Sequence, residues 1–314
     1  MKLVVLEPLG IPQEKLHRMA RESVGDDMEI VCYDTRVEDV PTLIERSKDA
    51  DVVVLSNFQY REAVISQCPH LKMICVAFTG VDHVDVDYCH AHGIVVCNCA
   101  GYSTSAVADL VFGFVIALIR NILPCNQAVR TGGTKAGLVG WELEGKTLGI
   151  VGAGAIGLRV ARIAQAFGCR VLAWSRTKKQ VDGVTFVDDL QTLLRESDIV
   201  SLHVPSTPAT KGLIDAAALS QMKPTAYLIN TARGPVVDSA ALAQALENGA
   251  IAGAAVDVFE MEPPIPAEHP LLHAPHLIAT PHVAFASEQA FEKRAVIVFD
   301  NIRKWLDGTP QNVQ

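Results

Sequence analysis

Short apolar runs alternate with segments of amphipathic, helical spacing through the first hundred residues. The predicted helices lie at residues 14–21 and 40–48. The predicted strands lie at residues 3–6, 28–32, 52–55, 73–77 and 94–97. Strands that alternate with helices are typical of parallel βαβ construction. We therefore expect a small doubly wound unit in this part of the chain.

Residues 102–120 form a long apolar segment with helical spacing. Such a helix has too little polar surface for the outside of a domain, so we expect it between domains or in a subunit interface. Its most apolar part, residues 106–119, contains Asp109 and is too short to span a bilayer. The glycine-rich residues 131–140 should form a surface loop.

The clearest local motif is GAGAIG at residues 152–157. A predicted strand at 148–151 precedes it, and a helix at 156–167 and a strand at 170–174 follow it. In this setting Gly152 permits a tight turn, Gly154 lets a pyrophosphate approach the backbone, and Gly157 lets the helix pack closely on the strand. The arrangement predicts dinucleotide binding, and the alternative is a βα turn with a purely structural role.

The alternating pattern continues to the end of the chain. Further strands are predicted at residues 199–203, 226–230, 252–256 and 277–280. Further helices are predicted at residues 188–195, 216–222, 239–247 and 287–306. The proline-rich residues 262–270 can continue neither element and should form a loop. At 314 residues the chain can hold two α/β domains, each with its own core.

Composition and charge narrow the possible functions. A hydrophobic content of 49% with 20% charged residues is typical of a soluble globular protein, and a net charge of −8 argues against a nucleic-acid surface. The N-terminal sequence MKLVVLEPLG lacks the features of a signal peptide, so we expect no membrane association. The eight cysteines are scattered without CxxC pairs, which favours reduced thiols, no metal site and a cytoplasmic location.

Candidate catalytic residues lie at the predicted carboxyl ends of strands, where ligands of open parallel sheets bind. Arg233 could hold a carboxylate and a carbonyl oxygen in a planar fork. His282 could deliver a proton near neutral pH, and Glu262 could orient and charge it. These groups, in a cleft between the two units, would suit hydride transfer to a 2-oxo acid.

Structural interpretations of the same residues stay open. Arg233 could be a surface turn residue, and His282 could be a loop histidine with its hydrogen bonds satisfied. His203, at a strand end, is the rival base. Other histidines are expected at the surface or in loops: His83, His90, His92, His269, His273 and His276.

Seven blocks in order make the chain recognisable. They are FTGVDHVD at 78–85, NCAGYSTSAVAD at 98–109, LEGKTLGIVGAGAIG at 143–157, LHVPSTPATKGLI at 202–214, NTARGPVVD at 230–238, GAAVDVFEMEPP at 253–264 and TPHVAFASEQA at 280–290. Over nearly the whole length the chain resembles the D-isomer-specific 2-hydroxyacid dehydrogenase family, most closely its glycerate dehydrogenase and hydroxypyruvate reductase branch.

The resemblance implies an α/β fold of two doubly wound parallel-sheet domains. A Rossmann cofactor domain at 100–284 would be inserted in a smaller flavodoxin-like substrate domain, formed by 1–99 with the tail 285–314. It also implies a homodimer through the cofactor domain.

The resemblance also assigns roles to residues. The catalytic residues would be Arg233, Glu262 and His282, and the substrate would bind Thr79, Gly80, Val81 and Arg233. Asp257 would hold the nicotinamide carboxamide. The cofactor-binding set would comprise Thr104, Gly152, Gly154, Ala155, Ile156, Gly157, Val204, Pro205, Thr231, Ala232, Asp257 and His282.

Cofactor choice depends on the residue that follows the second strand of the glycine-turn unit. An NAD-binding unit carries Asp or Glu there to bond the ribose 2′-hydroxyl. This chain has Ser175, followed by Arg176 and two lysines. A serine and cations would accept a 2′-phosphate, so NADP(H) is favoured and NAD(H) is possible. The alternative is a solvated basic turn.

We therefore expect a reductase that acts on a small 2-oxo acid such as glyoxylate or hydroxypyruvate. One alternative is a nicotinamide-sensing corepressor of the C-terminal-binding-protein type, which would bind the dinucleotide tightly with negligible turnover. Another is a dehydrogenase of a different small anion, such as formate or phosphite.

Overall fold

The computed structural model describes residues 1–314. The chain forms two compact units. The first, here the split unit, comprises Met1–Ser103 and Ala286–Gln314; the second, here the inserted unit, comprises Thr104–Phe285. The divisions between the units therefore fall after residues 103 and 285. The family resemblance implied divisions after residues 99 and 284.

The split unit is built on one parallel sheet. Its strands are β1 (Lys2–Val5), β2 (Glu29–Cys32), β3 (Val52–Leu55), β4 (Met73–Val76) and β5 (Val95–Cys97). Their order, β2-β1-β3-β4-β5, is the flavodoxin-like doubly wound order. Strands β3 and β4 are buried along their whole length, which explains why they read as continuous apolar runs.

Helices cover this sheet and complete the unit. They are α1 (Gln13–Val24), α2 (Val40–Ser47), α3 (Glu62–Ile65), α4 (Val86–Ala91) and, from the end of the chain, α11 (Glu288–Leu306). Asp39 caps α2 by accepting a hydrogen bond from Thr42 N at 2.9 Å. Helix α11 packs against α1 and β4, and Lys15 forms an ion pair with Glu292 between the two helices. The C-terminal tail is therefore part of the split unit's core.

The inserted unit contains a seven-stranded parallel sheet. Its strands are β6 (Thr147–Val151), β7 (Arg170–Trp174), β8 (Val184–Phe186), β9 (Ile199–Leu202), β10 (Tyr227–Asn230), β11 (Gly253–Val256) and β12 (Leu277–Ala279). Their order is β12-β11-β10-β9-β6-β7-β8. The chain runs outward from β6 to β8 and returns on the other side of β6, so the topological switch point lies between β6 and β9. The predicted class, two doubly wound α/β domains with a Rossmann unit, is confirmed.

Helices of the inserted unit surround this sheet. They are α5 (Thr104–Ile119), α6 (Ile122–Arg130), α7 (Ala155–Ala166), α8 (Leu190–Glu196), α9 (Ala216–Ser220) and α10 (Ser239–Glu247). Helix α5 packs against α7, β10 and β11, with Val111, Phe114 and Val115 buried. Its apolar face therefore lies within the inserted unit and needs neither a domain boundary nor a subunit interface to be buried.

No single helix is long and apolar enough to cross a membrane. Helices α5 and α6, which are bent by 57° relative to each other, reach the required length and apolar composition only when they are taken together.

Candidate active site

The glycine turn connects β6 to α7 at the switch point of the inserted unit. Gly152 has φ 103°, in the region that favours glycine, and a Cβ there would lie 2.6 Å from the carbonyl oxygen of His203. A Cβ on Gly157 would lie 2.2 Å from the carbonyl oxygen of Gly152. Both positions therefore require glycine, because the turn packs tightly against the end of β9 and against its own helix.

The space in front of Gly154 is open, since a Cβ there would meet nothing within 4 Å. Gly154 also precedes α7, and no side chain caps this helix. The first-turn N–H groups of Ala155 and Ile156 can therefore bind an anion, aided by the helix dipole. Thr231 directly follows β10, on the same sheet. Its buried hydroxyl has no hydrogen-bond partner within the protein, as expected of a group that would bond to a ligand. The residues present fit a dinucleotide.

Other predicted cofactor residues follow a strand of the same sheet or lie at the start of a helix. Val204 follows β9 and would lie 2.9 Å from a Cβ on Gly152. The carbonyl oxygen of Pro205 accepts a hydrogen bond from Thr210 Oγ1 at 2.6 Å. Thr104 is the first residue of α5.

The segment after β7 carries the predicted specificity residues. Ser175 Oγ donates to the carbonyl oxygen of Thr177 at 2.6 Å, and Arg176 is exposed. Lys178 forms an ion pair with Asp188. Lys179 Nζ donates to the carbonyl oxygen of Ala153 at 3.1 Å, so this basic segment reaches back to the glycine turn.

Arg233 lies in a short loop after β10 that is shaped by Asn230. The buried side chain of Asn230 donates from Nδ2 to the carbonyl oxygen of Arg233 at 3.0 Å and accepts from Ala232 N at 3.1 Å. A Cβ on Gly234 would lie 1.9 Å from the backbone of Phe259, so the loop is packed on the segment that leads to Glu262. Sequence reasoning missed Asn230, because a lone strand-end asparagine carries no signal of this double hydrogen bond.

Glu262 and His282 are brought together by the loops after β11 and β12. His282 Nδ1 lies 2.8 Å from Glu262 Oε2 and 3.0 Å from Oε1. The histidine has φ 56°, in the left-handed region, and its ring makes an edge contact with Phe285 at a centroid distance of 5.4 Å. Because the carboxylate engages Nδ1, Nε2 is the ring nitrogen that can act on a substrate.

Asp257, just beyond β11, is fully buried. Its carboxylate accepts hydrogen bonds from Val283 N and Ala284 N, both at 2.8 Å, and from Thr280 Oγ1. Burial raises the pKa of Asp257, and these hydrogen bonds oppose the shift. The side chain therefore contacts the loop that carries His282, a set of partners that the sequence did not predict.

Three other histidines have surroundings that differ from those of His282. Burial lowers the pKa of His203 to about 3, and its Nε2 lies 2.9 Å from Ser201 Oγ. With so low a pKa, His203 has no proton to donate near pH 7 and is a weak proton acceptor, which weakens its case as the rival acid/base group. His83 and His269 lie in loops, as one prediction allowed, but both are buried, and His269 Nε2 contacts Glu260 at 3.1 Å.

The predicted substrate residues of the split unit follow β4. Thr79 is exposed, and Gly80 and Val81 are half-buried. Asn98 Nδ2 donates to the carbonyl oxygen of Thr79 at 2.7 Å. Arg294 donates to the carbonyl oxygens of Ala77 and Leu9, which fixes the start of this loop. Hydrogen bonds to the carbonyl oxygens of Ala77 and Thr79 therefore hold the backbone of this loop.

Known proteins are similar to this chain in sequence and in fold. A family model described as the NAD-binding domain of D-isomer specific 2-hydroxyacid dehydrogenases matches residues 112–284. A glycerate dehydrogenase of Methylorubrum extorquens is 41% identical over 282 residues, which cover 86% of this chain and 87% of that protein.

Two solved structures align over essentially the whole chain. An acyclic imino acid reductase in complex with NADPH and D-Arg has a TM-score of 0.90 at 31% identity, with 100% of both chains covered. A D-lactate dehydrogenase from Aquifex aeolicus, complexed with NAD and lactic acid, has a TM-score of 0.87 at 31% identity, with 98% of this chain and 96% of that chain covered.

Proposed function

Because this chain belongs to the D-isomer-specific 2-hydroxyacid dehydrogenase family, we propose that it transfers a hydride between a nicotinamide cofactor and a small 2-oxo or D-2-hydroxy acid. The observation that carries the proposal is the contact of 2.8 Å between His282 Nδ1 and Glu262 Oε2. Such a dyad suits a reaction in which one proton moves with each hydride.

The dyad's role follows from its geometry. Reduction of a 2-oxo acid adds a hydride to the carbonyl carbon and a proton to the carbonyl oxygen. His282 would give that proton from Nε2 and, in the oxidation direction, would take it from the substrate hydroxyl. Glu262 would orient the ring and pair with the imidazolium. The nicotinamide, when bound, supplies or accepts the hydride.

Substrate anchoring is assigned to Arg233, whose guanidinium can hold a carboxylate and a carbonyl oxygen in one plane. Asn230 supports this role because it holds the backbone of the Arg233 loop from both sides. Gly80 and Val81 of the split unit would offer backbone N–H groups to the substrate carboxylate, and Thr79 belongs to the same predicted substrate-binding set. In this proposal the inserted unit is the cofactor domain and the split unit is the substrate domain.

The proposed cofactor is NADP(H), with NAD(H) as the weaker alternative. Ser175 at the end of β7 carries no charge that would repel a 2′-phosphate, and Arg176 is exposed beside it. Lys179 adds a second cation, whose Nζ lies 3.1 Å from the carbonyl oxygen of Ala153 in the glycine turn. Gly154 and the first turn of α7 would receive the pyrophosphate.

A homodimer is proposed through the surface formed by α6 and the loop after it. Helix α6 has no buried residue. Four apolar side chains of this surface are exposed by 46%, 53%, 76% and 84%: Ile122, Leu123, Val129 and Val139. A second copy that covers them would remove this apolar area from water. We also propose a cytoplasmic location, because all eight cysteines are free thiols and most of them are buried.

Oxidation of NADPH and NADH at 340 nm, with a panel of about ten 2-oxo acids, tests the proposed function. We expect turnover with glyoxylate or hydroxypyruvate. Tight dinucleotide binding without turnover on any member would overturn the proposal in favour of the corepressor-like alternative. Activity confined to oxidation of NAD(P)H by an imino acid, or to reduction of NAD(P)+ by formate or phosphite in the reverse assay, would overturn the substrate class alone.

A further inference from the structure

The loop that carries His282 is attached at four points to a single residue. Asp257 Oδ1 accepts from Val283 N at 2.8 Å and from Thr280 Oγ1, and Oδ2 accepts from Ala284 N at 2.8 Å. The carbonyl oxygen of Asp257 accepts from His282 N, also at 2.8 Å. The donors lie on both sides of the histidine, so Asp257 defines the path of the backbone through it.

His282 needs such support because of its backbone conformation. Its φ of 56° is one that side-chain-bearing residues rarely adopt, and a residue of this kind stays in place only when its surroundings hold it there. Hydrogen bonds to an ionised acceptor are stronger than neutral ones, and this acceptor is fully buried. The carboxylate is therefore well suited to hold the ring in reach of Glu262.

Asp257 is in turn linked to the loop of Arg233. Asp257 N donates to the carbonyl oxygen of Asn230 at 2.9 Å. The side chain of Asn230 closes the Arg233 loop through Ala232 N and the carbonyl oxygen of Arg233. One continuous chain of hydrogen bonds thus runs from the arginine loop through Asn230 and Asp257 to the histidine loop.

We infer that Asp257 is a positioning residue of this enzyme, which acts through His282 by fixing the histidine loop relative to the Arg233 loop. The role rests on the proposed function for its kinetic consequence and on the hydrogen bonds alone for its structural consequence. It differs from the role that the family resemblance implies, contact with the nicotinamide carboxamide, and the two roles make different kinetic predictions.

Asp257→Asn tests the role most directly, because an amide nitrogen would face a backbone N–H in place of one carboxylate oxygen. We expect kcat to fall on the order of 10²-fold with cofactor Kd changed by less than about threefold, since a small misplacement of a catalytic group has effects of this size. Thr280→Val removes one donor and should lower kcat by about tenfold, whereas Thr280→Ser restores the hydroxyl and should restore kcat. Asp215→Asn is the matched control, because Asp215 only caps α9 through Ala218 N at 2.8 Å.

A double-variant cycle separates positioning from other effects. In the His282→Ala background, Asp257→Asn should lower kcat by less than about threefold more, because the residue acts through the missing ring. A full additional loss, or weaker dinucleotide binding at unchanged kcat, would overturn the inference.

Amide hydrogen exchange tests the same inference without any turnover. The amides of His282, Val283 and Ala284 should exchange at least about tenfold faster in Asp257→Asn, and by a smaller factor in Thr280→Val, with α8 and α10 unaffected. Unchanged exchange in both variants would overturn the inference, whatever the protein's activity. Faster exchange in a protein that reduces no 2-oxo acid would instead overturn the proposed function.

Discussion

His282 Nδ1 lies 2.8 Å from Glu262 Oε2, although 20 residues separate them in the chain. The proline-rich loop after β11 and the loop after β12 bring the two side chains together. The contact occupies Nδ1, and in the proposed mechanism Nε2 is the ring nitrogen that acts on the substrate. It is the basis of the first prediction.

His282→Ala should lower kcat on the order of 10² to 10⁴-fold, because the carbonyl oxygen loses its proton donor. Glu262→Gln should lower kcat by about tenfold or more, because the amide replaces a charge-assisted hydrogen bond with a neutral one. Steady-state kinetics with the best 2-oxo acid gives both values. Dinucleotide Kd, followed by fluorescence, should stay within about threefold in both variants. A nearly active His282→Ala enzyme would contradict the assignment.

Arg233→Lys should raise the KM for the 2-oxo acid by about tenfold or more. Lysine keeps the positive charge but loses the planar pair of donors that can hold a carboxylate and a carbonyl oxygen together. Arg195→Lys, on the exposed end of α8, is a matched control and should leave KM unchanged. An ordinary KM in Arg233→Lys would remove this arginine from the substrate site.

NADPH should be preferred over NADH by tenfold or more in kcat/KM, which corresponds to about 1.4 kcal/mol. The combination of Ser175→Asp with Arg176→Ala should reverse the preference, because a carboxylate bonds the ribose hydroxyls and repels a 2′-phosphate. Competing cofactor titrations with one fixed 2-oxo acid measure the ratio. Higher kcat/KM of the unmodified protein with NADH would refute the prediction.

His203 should make the folded state less stable as the pH falls. Burial lowers the pKa of His203 to about 3, below the ordinary value of about 6.5, so the unfolded chain binds the extra proton between these values. The stabilising effect is complete above about pH 6.5 and is lost as the pH falls toward 3. Urea unfolding at pH 7 and pH 5 should show a loss about 1 to 2 kcal/mol larger in the wild type than in His203→Gln. Equal losses would contradict this assignment.

The exposed apolar surface of α6 should join two copies. Leu123→Asp with Val129→Asp should convert the dimer to a monomer in light scattering, because charges would be buried in the interface. Val296→Asp is a matched control, since Val296 is also exposed but lies on α11 of the split unit. A wild-type protein that is monomeric at all concentrations would remove the interface.

The sequence predicts many of the regular helices and strands well, because they bury continuous or periodic apolar runs. Residues 52–55, 170–174 and 239–247 were predicted with the bounds that β3, β7 and α10 have. The four-residue helix α3 and the three-residue strand β8 were missed, because such short elements show no measurable period. Helix α6 was missed since none of its residues is buried, so it has no core face to read.

At the candidate site, the sequence indicates some of the chemical groups but not the hydrogen bonds that hold them. Motif matching paired Glu262 with His282, because carboxylate and imidazole are groups that suit proton transfer, and the structure brings the two side chains into contact. Their catalytic roles stay predictions. It was not enough to find the hydrogen bonds from Thr280, Val283 and Ala284 to Asp257, since backbone N–H groups carry no sequence signature. The lowered pKa of His203 was equally invisible, because it depends on the groups packed around the end of β9 and not on the strand itself.

The split unit is formed by two separate parts of the chain, and this determines the order in which the two units can fold during synthesis on the ribosome. Helix α11 begins only at Glu288, yet it packs against α1, which ends at Val24. The inserted unit is contiguous from Thr104 to Phe285 and can fold as soon as it has emerged. The first hundred residues cannot complete their own core at that stage, because the helix that packs against α1 and β4 has not yet been made.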